Sequence, residues 1–93
     1  MLFMVIEQFP DDPVPLYRRL RDEGRGLPEG VTYLDSWIEA GLGRCFQLME
    51  SESAALLQQW VLHWRGLGVR FEIVPVTRSS DTSALIEPLL GAP

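Results

Sequence analysis

The sequence predicts an α+β sandwich in which two helices cover one face of a four-stranded antiparallel sheet. Three observations lead there. Apolar or alternating stretches interleave with helical-period ones in the order strand, helix, strand, strand, helix, strand. The two central strands flank "AGLG", a hairpin signal. A chain of 93 residues makes one domain.

Residues 2–9, "LFMVIEQF", form a short apolar run ended by "PDDP", which predicts a largely buried first strand. Asp12 followed by Pro13 reads as a helix cap with proline at the first helical position, where a missing N–H costs nothing. Val14, Leu16, Tyr17 and Leu20 give that helix its apolar stripe, to about Asp22, and "EGRGLPEG" stops it and turns the chain. "VTYLDSWIE" (31–39) and "RCFQLME" (44–50) form the hairpin, with Glu39 opposite Arg44 setting the register. Regular alternation then puts Tyr33, Asp35, Trp37, Phe46, Leu48 and Glu50 on one face. Leu34, Ser36, Ile38, Cys45, Gln47 and Met49 take the other. Both faces are largely apolar, so both need cover.

The second helix starts near Ser53, with Ser51 or Ser53 as its cap. Leu56, Leu57, Trp60, Trp64 and Leu67 share one side of it, and "GLG" (66–68) ends it. "VRFEIVPVT" (69–77) alternates Val69, Phe71 and Ile73 against Arg70, Glu72 and Val74, and Pro75 suits an edge strand or a bulge. The domain is expected to span residues 1–78, leaving 79–93 as a tail with one short helical turn after Asp81 that needs docking to be stable. Two split βαβ units in this order make a ferredoxin-like sandwich. Its two helices cover one sheet face, and a second copy of the sheet is the simplest cover for the other, which predicts a homodimer through sheet faces.

Composition narrows the function classes. Eight basic against thirteen acidic residues give a net charge of −5, and the chain has no lysine, which disfavours nucleic acid as a partner. Arg18, Arg19, Arg21 and Arg25 are interleaved with Asp22 and Glu23 and read as a solvated helix face. Cys45 is the only cysteine, so an intrachain disulfide is impossible and a reducing cytoplasm is the simplest setting. "MLFMVI" has no basic start and meets Glu7 too early for a signal peptide or a membrane span.

"MLFMVIEQF", "LPEGVTYLDSW", "GRCFQLMES" and "FEIVPV" together resemble a family of short uncharacterised bacterial proteins, a domain of unknown function placed among the dimeric α/β-barrel proteins. The likeness runs to about Val76 and implies a ferredoxin-like fold with sheet-to-sheet dimerisation; it implies no reaction. "LMESESAALLQQWVLHW" is similar to the strand-to-helix segment of antibiotic-biosynthesis-type monooxygenases and related haem-degrading enzymes. In the haem-degrading branch a second-helix histidine ligates iron, and His63 lies on the matching helix. That branch also uses an Asn on the first strand and a Trp on the third. Here those places hold Glu7 or Gln8, and Cys45, Phe46 or Gln47.

The expected function is binding of a small, partly aromatic or apolar molecule in a cleft between sheet and helices. The alternatives are a non-catalytic dimeric interaction module and, more distantly, a haem-binding or cofactor-independent monooxygenase. No cofactor and no metal site is expected, because one His and one Cys fall short of a ligand set. His63 is a candidate general base at the cleft mouth, or else a boundary histidine on the core margin. Asp35, a carboxylate within an apolar strand, is the second acid–base candidate if the helices cover its face. Trp37 and Trp60 are candidate walls, with Tyr33 and Gln47 as polar contacts. Glu7 poses the same question as Asp35, with Arg70 as a possible partner, and Cys45 reads as an inert small hydrophobe.

Overall fold

The computed structural model describes residues 1–93. Its sheet contains β1 (Leu2–Gln8), β2 (Val31–Ile38), β3 (Arg44–Ser51) and β4 (Arg70–Val76), in the antiparallel order β2-β3-β1-β4. Helix α1 (Val14–Glu23) joins β1 to β2, α2 (Ala54–His63) joins β3 to β4, and α3 (Ser79–Ile86) with a 3-10 turn (Glu87–Leu89) follows. The order and pairing are compatible with a ferredoxin-like fold.

Local signals behave as their chemistry requires. The Asp12 carboxylate accepts from the Val14 N–H at 3.1 Å and Ser53 Oγ accepts from the Leu56 N–H at 3.4 Å, so the starts of α1 and α2 each find a side-chain acceptor for an orphan donor, although the cap position of α1 falls on Pro13, one residue later than expected. Glu39 and Arg44 close the hairpin through a backbone bond of 2.8 Å and an ion pair of 2.6 Å. Pro75 lies on β4, an edge of the sheet, where its missing N–H breaks no interior ladder.

From β1, Phe3, Val5 and Glu7 turn toward the helices; from β3, Cys45, Gln47, Met49 and Ser51 do so. Leu16 of α1 and Leu57, Trp60 and Trp64 of the second helical segment close the core over them. Leu57, Val5 and Met49 are fully buried.

The hairpin departs from regular alternation at one place. Ile38, Trp37, Ser36 and Asp35 pair with Cys45, Phe46, Gln47 and Leu48, but Met49 then pairs with Tyr33 rather than Leu34. Leu34 is the extra residue of a β-bulge, and an extra residue inverts the facing of everything beyond it. Tyr33 therefore joins Ser36 and Ile38 on the helix side, while Asp35 and Trp37 are carried to the other face, where Trp37 is 51% exposed. The expectation that the helices cover Tyr33, Asp35 and Trp37 together is corrected by that one residue.

The second sheet face is largely apolar, with Asp35, Glu50 and Glu72 also on it, and has no cover within the chain. Leu2, Met4 and Ile6 of β1, Phe46 and Leu48 of β3 and Val74 and Val76 of β4 lie on it, all partly accessible. The tail also differs from the single turn expected after Asp81. It is a two-turn helix that starts at Ser79, before Asp81, and every residue from Ser79 to Pro93 is exposed. The radius of gyration of 16.3 Å exceeds the about 12 Å of a compact chain this long, as a projecting arm requires.

Candidate functional site

A cavity of about 230 Å³ lies between the sheet and the two helices. Its apolar wall comes from Phe9, Leu16, Tyr17, Leu20, Ile38, Trp60, Trp64 and Phe71, and its polar end from Glu7, Arg25, Ser36, Cys45 and Gln47. An apolar enclosure with a few convergent polar groups is the usual form of a small-molecule site.

The polar end is built as a relay. Arg25 Nη1 donates to Gln47 Oε1 at 3.2 Å, which fixes the orientation of the Gln47 amide, and Gln47 Nε2 donates to Glu7 Oε1. Burial pushes the Glu7 carboxyl from 4.5 up to about 7, with the Arg25 charge and the Gln47 hydrogen bond opposing the rise. Burial likewise pushes the neighbouring Cys45 thiol up to about 11, reinforced by the Glu7 charge, so it stays protonated at neutral pH and is a poor nucleophile.

Arg25 is held from two sides. Its carbonyl accepts from both the Trp60 indole at 2.8 Å and the Trp64 indole at 2.9 Å. Its guanidinium lies 3.7 Å from the centre of the Tyr33 ring, whose hydroxyl is 2.6 Å from Ser36 Oγ. The two tryptophans thus satisfy their N–H groups and anchor the loop after α1, which carries the cavity's only guanidinium. The solvated-face reading of the arginine run is corrected for this member: Arg25 lies past the end of the helix, and its side chain turns inward.

Of the residues singled out in the sequence, Trp60 and Gln47 line the cavity, and Tyr33 supports it from behind Arg25. Asp35 and Trp37 are on the opposite sheet face, where Asp35 Oδ1 accepts from the Ser36 N–H at 2.8 Å. His63 lies outside the cavity, in a shallow surface depression with Gly26, Pro28 and Arg65. Its exposed ring packs against the Gly26 backbone, and its carbonyl accepts from Arg19 Nη2 at 2.8 Å. It occupies the core margin. Arg70 bonds Gln8 rather than Glu7, at 3.2 Å.

Trp64 and Arg25 were not singled out as site residues, and Glu7 was raised only as a costly charge beside the sheet. Glu7 shares the parity of Phe3 and Val5, and that alternation is the signal for its inward facing. Trp64 follows Trp60 by one helical turn. Arg25 had no signal beyond its position after Gly24. The residues do not fit a haem, because the one imidazole of the chain is outside the cavity. No three His, Cys, Asp or Glu side chains converge as a metal site, and no helix is long and apolar enough to cross a membrane.

A family described as Domain of unknown function (DUF3303) matches residues 1–90, and the chain belongs to that family. The match includes the tail that the sequence motifs had left outside. No curated protein and no solved structure matches the chain.

Proposed function

We propose that this member of the DUF3303 family binds a small, largely apolar or aromatic molecule in the cavity between sheet and helices. The observation that carries this is the cavity itself, about 230 Å³ of apolar enclosure ending in a buried carboxyl, an amide and a guanidinium. A filled core would have favoured a plain interaction module. If the bound molecule reacts, Glu7 is the group placed to move a proton, because it faces the cavity and titrates near neutrality, whereas His63 and Asp35 lie elsewhere. Calorimetric titration with a panel of one- and two-ring aromatic compounds tests the proposal. At least one should bind the wild-type chain and lose most of its affinity for Leu16→Phe, which fills part of the cavity. Failure of the whole panel to bind would overturn it.

A homodimer completes the proposal. The uncovered sheet face has an apolar centre running from Val74 and Val76 of β4 across to Phe46 and Leu48 of β3, and an isologous pairing gives each copy the same apolar chemistry that it presents. The exposed arm, residues 79–93 beyond the 1–78 body, packs on that second copy through Leu85, Ile86, Leu89 and Leu90.

A further inference from the structure

We propose that the cavity selects an uncharged, apolar ligand of one or two rings that carries a hydroxyl or N–H, and that this donor bonds Oε2 of Glu7. The proposal rests on the cavity being a ligand site and names what it takes.

Two observations favour a donor on the ligand. Every fully buried side-chain nitrogen or oxygen has a hydrogen-bond partner, and Glu7 Oε1 has its own in Gln47. Glu7 Oε2 has no partner in the chain and Glu7 is 7% exposed, so that oxygen opens onto the cavity that Glu7 lines. The Arg25–Gln47–Glu7 relay also has a direction. Arg25 can only donate, so Gln47 presents its amide N–H to Glu7, and Glu7 is held as an acceptor.

Charge and size supply the other two attributes. Arg25 balances an ionised Glu7, so the polar end is neutral as a unit and an anionic ligand would compete with the carboxylate for one guanidinium. An apolar cavity of about 150 Å³ accepts benzene. The present one, at about 230 Å³, has room for one ring or two fused rings.

Binding then becomes linked to pH. A ligand donor prefers the ionised carboxylate, and in the free protein Glu7 titrates at about 7. Only the ionised fraction is competent, so affinity at pH 6 should be about tenfold weaker than at pH 8. The titratable groups facing Glu7 are Arg25 from the loop, Tyr17 from α1 and Cys45 from β3. The second helical segment and β4 present only Trp60, Trp64 and Phe71 to the cavity.

The test is calorimetric titration of the wild-type protein with 2-naphthol, with 2-methoxynaphthalene, which lacks the donor, and with 2-naphthoate, each at pH 6 and pH 8. The naphthol is expected to bind at least tenfold tighter than the ether at pH 8, and only the naphthol should weaken at pH 6. In Glu7→Gln its pH dependence should disappear. Equal binding of naphthol and ether, with no pH dependence, overturns the donor inference and leaves the cavity as a ligand site. Preferred binding of the naphthoate at pH 6 overturns it in favour of an anion. If none of the three binds, both the inference and the ligand-site reading fall.

Discussion

At neutral pH Glu7 sits near the midpoint of its titration, and that has a consequence for stability. Between pH 4.5 and 7 the folded protein keeps a proton that the unfolded chain has released. The folded state is therefore favoured by this group at low pH, and the advantage is lost as pH rises through about 7. Above that, the buried charge costs about 3 kcal/mol, from the size of the shift. Glu7→Gln, which keeps shape and can still accept from Gln47, is expected to gain up to about 3 kcal/mol at pH 8 and almost nothing at pH 4. Urea unfolding across that range checks it, and a flat difference between the two proteins would refute the link. His63 makes a second case. A Cβ on Gly26 would run into His63 Nε2, and Gly26 has a φ of +69°. His63→Ala should cost under about 1 kcal/mol, as for a boundary residue. Gly26→Ala should cost more, and the double variant should lose less than the sum, because removing the ring relieves the clash but not the backbone strain. Strict additivity in unfolding experiments would show that the ring is not what the methyl meets.

At the scale of elements, the arm is the least supported part of the chain. Its residues are all exposed, and an eight-residue helix is marginal alone in water. Ending the chain after Arg78 should leave the thermal transition of dilute protein nearly unchanged while raising the dissociation constant of the proposed dimer, measured by analytical ultracentrifugation. A large loss of stability at low concentration would instead mean that the arm docks on its own body. The elements were legible where periodicity is strong: all four strands, α1 and α2 follow from alternation, caps and glycines. The arm's length was not legible, since Ser79 to Ser83 carry no apolar period. The cavity was half legible. Trp60 and Gln47 declare their facing through their neighbours, but the bulge at Leu34 has no Gly or Pro to announce it. One unmarked residue moved Asp35 and Trp37 to the far side of the sheet. Arg25 was hidden for another reason: its role depends on two indoles 35 and 39 residues away.

For the whole molecule, the uncovered sheet face sets the expectation. Light scattering at micromolar concentration should return twice the 10.5 kDa chain mass. Phe46→Glu, placing a charge on that face, should shift the mass toward the single chain without emptying the cavity on the other side. A monodisperse wild-type monomer would leave the apolar face without a purpose, since soluble monomers seldom expose one so continuous. The sheet also ends in two free rims, β2 and β4, and any open rim can template another strand. Pro75 withdraws one amide from β4, and the bulge at Leu34 bends β2 out of a regular ladder. Strand-by-strand growth into ribbons or fibrils is discouraged at both rims. In the proposed face-to-face pair the sticky surfaces would be used up after two copies, and a small acidic chain with so much accessible hydrocarbon would stop at a closed particle. Straightening the rims, by Pro75→Val together with deletion of Leu34, would be expected to turn a tidy solution into one that gels.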